Sequence, residues 1–318
     1  MRPRIIFMGT PDFAVPALQA LIDHDWPVVA VVCQPDRPKG RHGHLQAPPV
    51  KQTAQAAGIP VLQPLKIRTP EFEQSLADLR PDLIITVAYG RILPANLLQL
   101  PPRGCLNLHA SLLPQLRGAA PINWALIRGA RETGITLMLM DEGMDTGDIL
   151  LQKSLPLDDR IDAGQLSGRL AVMGAELLPQ ALEDYLGGRL AATAQDDSLA
   201  TKAPIMTRET GEIDWTQSAR AIHNLVRGTT PWPGAYTWCD GKRLKIHRTE
   251  VRSDESPADP CPAAPGTVCD CGGDVISVAC GEGVLNLLEI QTESGRRMFS
   301  SACSHNYRLG QTMGGKQH

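Results

Sequence analysis

Short apolar runs rich in Ile, Val and Leu alternate, along the first part of the chain, with segments whose apolar residues recur at helical spacing. Residues 4–8, Val28–Cys33, Asp82–Ala88 and Gly104–His109 read as strands apolar on both faces. Pro11–Asp25 places Phe13, Leu18 and Leu21 on one side of a helix. Val50–Ala57, Glu71–Leu79, Pro94–Leu100 and Pro121–Arg128 read as further helices, and Val61-Leu62 as a short extended piece. Thr133–Met140 and Gly147–Pro156 are extended, and Gln165–Gly187 is one long amphipathic helix. Strands alternating with helices predict an α/β unit over residues 1–189, built on an open, mostly parallel, Rossmann-like sheet.

The pattern changes after Gly188. Residues 190–205 lack periodicity and read as a linker. From 206 to 318 the signal is short strands punctuated by turns. Ala235–Trp238, Arg243–Arg248, Gly266–Cys271, Val275–Ala279 and Leu285–Ile290 are separated by Asp240-Gly241, Gly272-Gly273 and Gly281–Gly283. That predicts a small β-barrel or sandwich, of which an OB-like barrel is the reading adopted, with one helix near Ser218–Arg227. Ser253–Pro265 carries the breakers of a long loop.

Composition narrows the class. The chain has 318 residues, 42% hydrophobic and 20% charged, as in soluble globular proteins. Only 4% is aromatic, so its cores rest on aliphatic residues. A net charge of −3 gives no bulk attraction to nucleic acid, so any RNA must be held by local patches. Eight cysteines are scattered, and Cys269-Asp-Cys271 is too tightly spaced for a zinc knuckle. Free thiols, no signal peptide and no apolar run near about 18 residues point to a cytoplasmic protein away from membranes.

Candidate chemistry concentrates between residues 105 and 148. Alternation along a strand puts Cys105, Asn107 and His109 on one side and Leu106, Leu108 and Ala110 on the other. An amide and an imidazole then project together from the carboxyl end of a central strand, where open α/β sheets bind ligands. Asp145, in the Gly-rich run Met140–Asp148, is within reach of that imidazole. The three together offer an oxyanion donor, a proton shuttle and its orienting group, a set suited to passing an acyl-level carbon to an amine. The plainer alternative is a hydrogen-bonded core histidine beside an ordinary turn. Asp141, Asp145 and Asp148 match no calcium loop and have no His or Cys cluster near them, so no metal is expected. Gly9-Thr-Pro-Asp-Phe13 lacks Gly-x-Gly-x-x-Gly, which argues against a dinucleotide.

Seven segments in order resemble the folate-dependent formyltransferase family. They are Ile5–Phe13, Gln34–Arg41, Val87–Pro94, Asn107–Pro114, Arg117–Ile122, Asp141–Asp148 and Thr230–Gly234. The resemblance implies Asn107, His109 and Asp145 as the catalytic trio. It implies Ser111, Leu112, Leu113 and Pro114 as the tetrahydrofolate segment, with Tyr89, Gly90, Ile92 and Leu93 lining the pterin cleft. Ile92 and Leu93 could equally be plain core. The activity implied is transfer of the formyl group of 10-formyltetrahydrofolate to the α-amine of methionyl initiator tRNA. A sibling acting on an amino sugar nucleotide is the nearest alternative. A non-catalytic RNA-binding protein is the alternative of another class, and it has no need of the trio.

For tRNA the candidates are Arg37, Lys39 and Arg41 in the basic 34–51 segment, and Lys242, Arg243 and Lys245 on a predicted strand. Both patches also read as ordinary solvated faces. Where relatives often carry lysines after the arginine matching Arg41, this chain has His42, Gly43 and His44. Leu116 stands where many relatives have an aromatic residue. A monomer is expected.

Overall fold

Among the residues described by this computed structural model, 2–39, 44–252 and 263–314, seven strands make one central sheet. Across it run Ile149–Pro156, Glu132–Leu139, Cys105–His109, Leu83–Val87, Ile5–Gly9, Val28–Val32 and Val61–Leu62. The five from Cys105–His109 to Val61–Leu62 pair in parallel. Glu132–Leu139 and Ile149–Pro156 extend the sheet antiparallel. Chain order reverses between Ile5–Gly9 and Leu83–Val87. This switch point opens a crevice at the carboxyl ends of the strands.

Local rules explain the covering helices. Thr69 caps Pro70–Ala77 by accepting from the Phe72 amide, and Glu71 and Glu73 occupy its first turn. Val15–Asp23 has Pro16 in its first turn and buries Ala17, Leu18 and Leu21. Ile5–Gly9 and Leu83–Val87 are buried along their whole length, as two-sided parallel strands must be. Truncating a fully buried side chain such as Leu106 to Ala would cost about 2–5 kcal/mol.

Two stretches hold more structure than their sequence suggests. The 34–49 loop contains a hairpin in which Arg37–Lys39 pairs with His44–Gln46. The 190–205 linker contains a turn at Asp197–Leu199 and a strand, Lys202–Ala203, paired in parallel with Arg117–Gly118. Pairing with a distant partner leaves no local periodicity to read. Arg41 and residues 253–262, most of the expected Ser253–Pro265 loop, lie outside the described residues.

The chain divides into two units, and the division does not follow one cut. The first unit comprises Met1–Pro121, Glu132–Pro156 and Ser167–Pro204; the second comprises Ile122–Arg131, Leu157–Leu166 and Ile205–His318. The helix Ala163–Leu186 is therefore shared, because it is continuous across residue 166.

The second unit is a curled antiparallel sheet. Its order is Val268–Asp270, Ile276–Ala279, Val284–Thr292, Lys242–Val251, Ala235–Cys239 and Met313–Gly314. The ends meet: Met313 N donates to the Gly266 carbonyl at 2.7 Å and Val268 N to the Gln311 carbonyl at 2.8 Å. These contacts cover the two end strands where they meet. Trp215, Ile222, Leu244, Ile246, Val278 and Leu285 fill the interior. No helix among the described residues is long and apolar enough to cross a membrane.

Candidate active site

Strand pairing assembles the site. Asn107 lies opposite Thr86 on one side and Met138 on the other, and His109 lies opposite Thr136. Cys105, on the same face, is buried against the Leu97 and Leu98 carbonyls, and burial pushes its thiol up to about 12. It is a core residue. On the opposite face Leu108 packs against Gly174 of the long helix.

Asn107, His109 and Asp145 meet at the end of this strand. The Asn107 Nδ2 lies 3.4 Å from Asp145 Oδ1, and His109 Nδ1 lies 3.6 Å from the same oxygen. The second carboxylate oxygen, Oδ2, accepts from the Gly118 amide at 2.8 Å. Asp145 has a φ of 58°, in the left-handed region that Asp tolerates better than most residues. Its side chain is 17% exposed and that of His109 6%, so the carboxylate acts across a short path with little intervening water. His109 Nε2 faces the carbonyl of Leu116 at 3.1 Å. The imidazole thus lies between two acceptors, and a neutral ring can donate to only one of them. Asp141 shapes the loop instead, accepting from Gly143 N and Thr146 Oγ1.

The 111–116 segment is held by its backbone. Thr136 Oγ1 donates to the Ser111 carbonyl at 2.6 Å and accepts from Leu113 N at 3.1 Å. Gln152 Nε2 donates to the Leu113 carbonyl at 2.8 Å, and Ser111 Oγ to that of Gln115 at 2.7 Å. Ser111 and Leu113 are buried, while Leu112 and Pro114 remain half-buried. Leu116 N donates to Thr201 Oγ1 at 2.9 Å, which fixes the carbonyl that faces His109.

The second loop separates into two pairs. Tyr89 and Leu93 pack in the core with Ile6, Met8 and Ile84, and burial pushes the Tyr89 hydroxyl up to about 12. Gly90 and Ile92 are outward, Ile92 being 49% exposed. Of the basic candidates, Arg37, Lys242 and Lys245 are exposed. Arg243 is half-buried, its guanidinium 3.8 Å from the centre of the Tyr236 ring. Lys39 ends a strand of the hairpin.

Thr86, Thr136, Gln152 and Thr201 escaped the sequence reading. The one signal available was a lone polar residue, Thr86, inside the apolar run Leu83–Val87.

An amide, an imidazole and a carboxylate converging on the rim of a doubly wound sheet equip an enzyme to pass a carbonyl-level carbon to a nucleophile. The chain belongs to the formyl transferase family and is a formyltransferase: residues 3–182 match the model described as Formyl transferase, and residues 205–306 match Formyl transferase, C-terminal domain. It is 49% identical over 306 residues to the methionyl-tRNA formyltransferase of Citrifermentans bemidjiense, covering 96% of this chain and 94% of that one. With the methionyl-tRNA formyltransferase of Acetivibrio thermocellus the identity is 47% over 313 residues, covering 98% and 99%. Solved structures share the fold at lower identity. A sugar 3N-formyl transferase, WlaRD, in the presence of dTDP and 5-N-formyl-THF, superposes with a TM-score of 0.68 at 15% identity, covering 93% of this chain and all of that one. HypX of Aquifex aeolicus in complex with tetrahydrofolic acid gives 0.60 at 18% identity, covering 95% of this chain and 47% of that one.

Proposed function

We propose that this protein transfers the formyl group of 10-formyltetrahydrofolate to the α-amine of methionyl initiator tRNA, in the cytoplasm and as a monomer. The methionyl-tRNA formyltransferases that it matches over nearly their full length support the reaction. The observation that carries the residue assignment is the shared Asp145 oxygen, 3.4 Å from the Asn107 amide and 3.6 Å from the His109 ring.

In this reading Asn107 keeps one N–H near Asp145 and turns the other to the formyl oxygen. As the amine attacks and the carbon–nitrogen bond forms, that oxygen gains negative charge, and the amide N–H stabilises it. His109 takes the proton released by the attacking amine and returns one to the departing folate nitrogen as the old carbon–nitrogen bond breaks. Asp145 stabilises the transient imidazolium. The donor set fits the co-substrate: Gly90 has no side chain, and Ile92 exposes an apolar surface at the carboxyl end of the sheet, where a flat heterocycle can lie. Leu112 and Pro114, half-buried on a braced backbone, add apolar side chains beside the trio. Two solved relatives in fold hold a tetrahydrofolate or a formyl derivative of it.

For tRNA, Arg37 and Lys39 on the hairpin, Arg41 in the basic 34–51 stretch of sequence, and Lys242, Arg243 and Lys245 on the barrel supply local positive charge. The test is formyl transfer read by mass, with charged initiator tRNA and an amino sugar nucleotide offered side by side. Formylation of the aminoacyl-tRNA alone is expected. Formylation of the sugar alone would overturn the proposal.

A further inference from the structure

The segment that follows the long helix carries one half-buried polar residue in an exposed run, Gln195. Its side-chain amide is fully used. Nε2 donates to the carbonyl of Asp145 at 2.9 Å and to that of Gly147 at 2.7 Å. Oε1 accepts from Arg117 Nε at 3.0 Å and Nη2 at 2.8 Å. Both flanks of Gln195 are pinned. Thr193 exchanges two backbone hydrogen bonds with Ile149, at 2.8 and 2.9 Å. On the other side Lys202–Ala203 pairs with Arg117–Gly118.

The two carbonyls that Gln195 holds bracket the bend that presents Asp145. That residue has a φ of 58°, in the left-handed region that Asp tolerates, so the path of the bend depends on what holds the flanking backbone. The same strap also fixes Gly118, whose amide donates to Asp145 Oδ2, because Lys202–Ala203 pairs with it. Arg117 also meets Asp197, but that carboxylate is 83% exposed, so the contact supplies little by itself. The fixed element is the Gln195 amide.

We propose that Gln195, braced by Arg117, is a positioning residue for formyl transfer: it holds the backbone of 145–147 so that the Asp145 carboxylate stays on His109 and Asn107. It touches no substrate and acts through Asp145. The inference rests on Asp145 having the catalytic place proposed above.

Gln195→Glu keeps an oxygen for Arg117 and sets its second carboxylate oxygen where the two N–H bonds of Nε2 faced carbonyls. Gln195→Met removes the amide at similar length without adding charge. Both should lower kcat by roughly ten- to a hundredfold, the scale of a misplaced catalytic group. KM for both substrates should stay within about twofold, because the groups that bind substrate are untouched. The decisive measurement is a cycle with Asp145→Asn. If Gln195 acts through Asp145, the double variant is no slower than Asp145→Asn alone. Rate losses that multiply, a wild-type kcat in both Gln195 variants, or a fall in Tm matched by equal loss of active protein would each overturn the inference. Wild-type turnover by Asp145→Asn would overturn it in a distinguishable way, by removing the catalytic assignment on which it rests.

Discussion

Thr86 Oγ1 lies 2.9 Å from the Asn107 side-chain oxygen and donates to it. Parallel pairing sets the two residues opposite each other, so the contact is built by strand register. It points the Asn107 oxygen into the sheet and its N–H groups outward, which an amide can otherwise reverse. The Leu106 carbonyl, at 3.1 Å, competes for the same hydroxyl proton. Thr86→Val keeps the branched shape and removes the donor. We expect kcat to fall roughly tenfold, the scale of a weakened oxyanion donor, with KM for both substrates unchanged. Steady-state kinetics with each substrate varied in turn checks this. An unaltered kcat would mean that Asn107 orients without Thr86.

The same pair shows where sequence reading reaches and where it stops. Asn107 and His109 are legible because strand alternation is local: two residues apart means the same face. The parallel sheet and the barrel are legible for the same reason, since runs such as Leu83–Val87 and turns such as Asp240-Gly241 announce themselves. Asp145 entered through its Gly-rich run and through family resemblance. Thr86, Thr136, Thr201 and Gln195 enter through pairings between distant segments, and apart from the lone polar position of Thr86 nothing in their neighbours records that. Tyr89 and Leu93 show the converse. Their motif was plain, but whether each side chain turns into the core or the crevice depends on the backbone beyond Val87, where Ala88 has a φ of 47°.

Asp36, Lys51 and Gln63 make a polar brace at the base of the 37–46 hairpin. Lys51 Nζ donates to both Asp36 oxygens at 2.9 Å, and Gln63 Nε2 donates to one of them at 2.7 Å. The Gln63 and Lys51 hydrogen bonds hold the Asp36 carboxyl below the usual carboxylate range. A depressed carboxyl contributes stability that is present above its unfolded value, about pH 3.9, and is lost as pH falls through the folded value. Thermal melts of wild type and Asp36→Asn should therefore differ at neutral pH, with the gap narrowing progressively as the pH falls below about 4. A gap that does not narrow at all as the pH is lowered from about 4 would place the effect in packing rather than charge.

His223 should act in the opposite part of the scale. Its Nε2 donates to the Asp159 carbonyl and its Nδ1 pairs with Thr249 Oγ1, both at 2.9 Å, and a neutral ring satisfies both contacts. Burial pushes it below the usual histidine range, with Arg227 and Arg220 adding to that and the Asp159 carbonyl bond opposing it. The unfolded chain takes up this proton first. Stability from the buried neutral ring is complete above about pH 6.5 and is lost as pH falls through the depressed value. Urea midpoints for the barrel unit's transition should drop between about pH 7.5 and pH 5.5 in wild type more than in His223→Gln. Parallel midpoints in the two proteins would remove His223 from the acid response.

The last prediction concerns how tRNA is held. Arg37 and Lys245 are exposed, one on the hairpin of the first unit and one on the barrel of the second. Replacing either by Ala should leave stability within about 0.5 kcal/mol, as at other surface sites. Arg243 is a poor probe by contrast, because its guanidinium lies 3.8 Å over the Tyr236 ring and its loss would disturb packing. If Arg37 and Lys245 meet phosphates, each removal weakens binding of charged tRNA and flattens its dependence on salt. The slope of log affinity against log salt should shrink by about 0.7–0.9 for each phosphate left without its cation. The two changes should add in the double variant, since the sites share no partner. Binding titrations at several salt concentrations, for wild type, both single variants and the double, give the slopes directly. Slopes that stay parallel would take these two side chains out of the tRNA interface. They would also remove the charge argument that favours tRNA over an amino sugar nucleotide, leaving the match to methionyl-tRNA formyltransferases to support that choice alone.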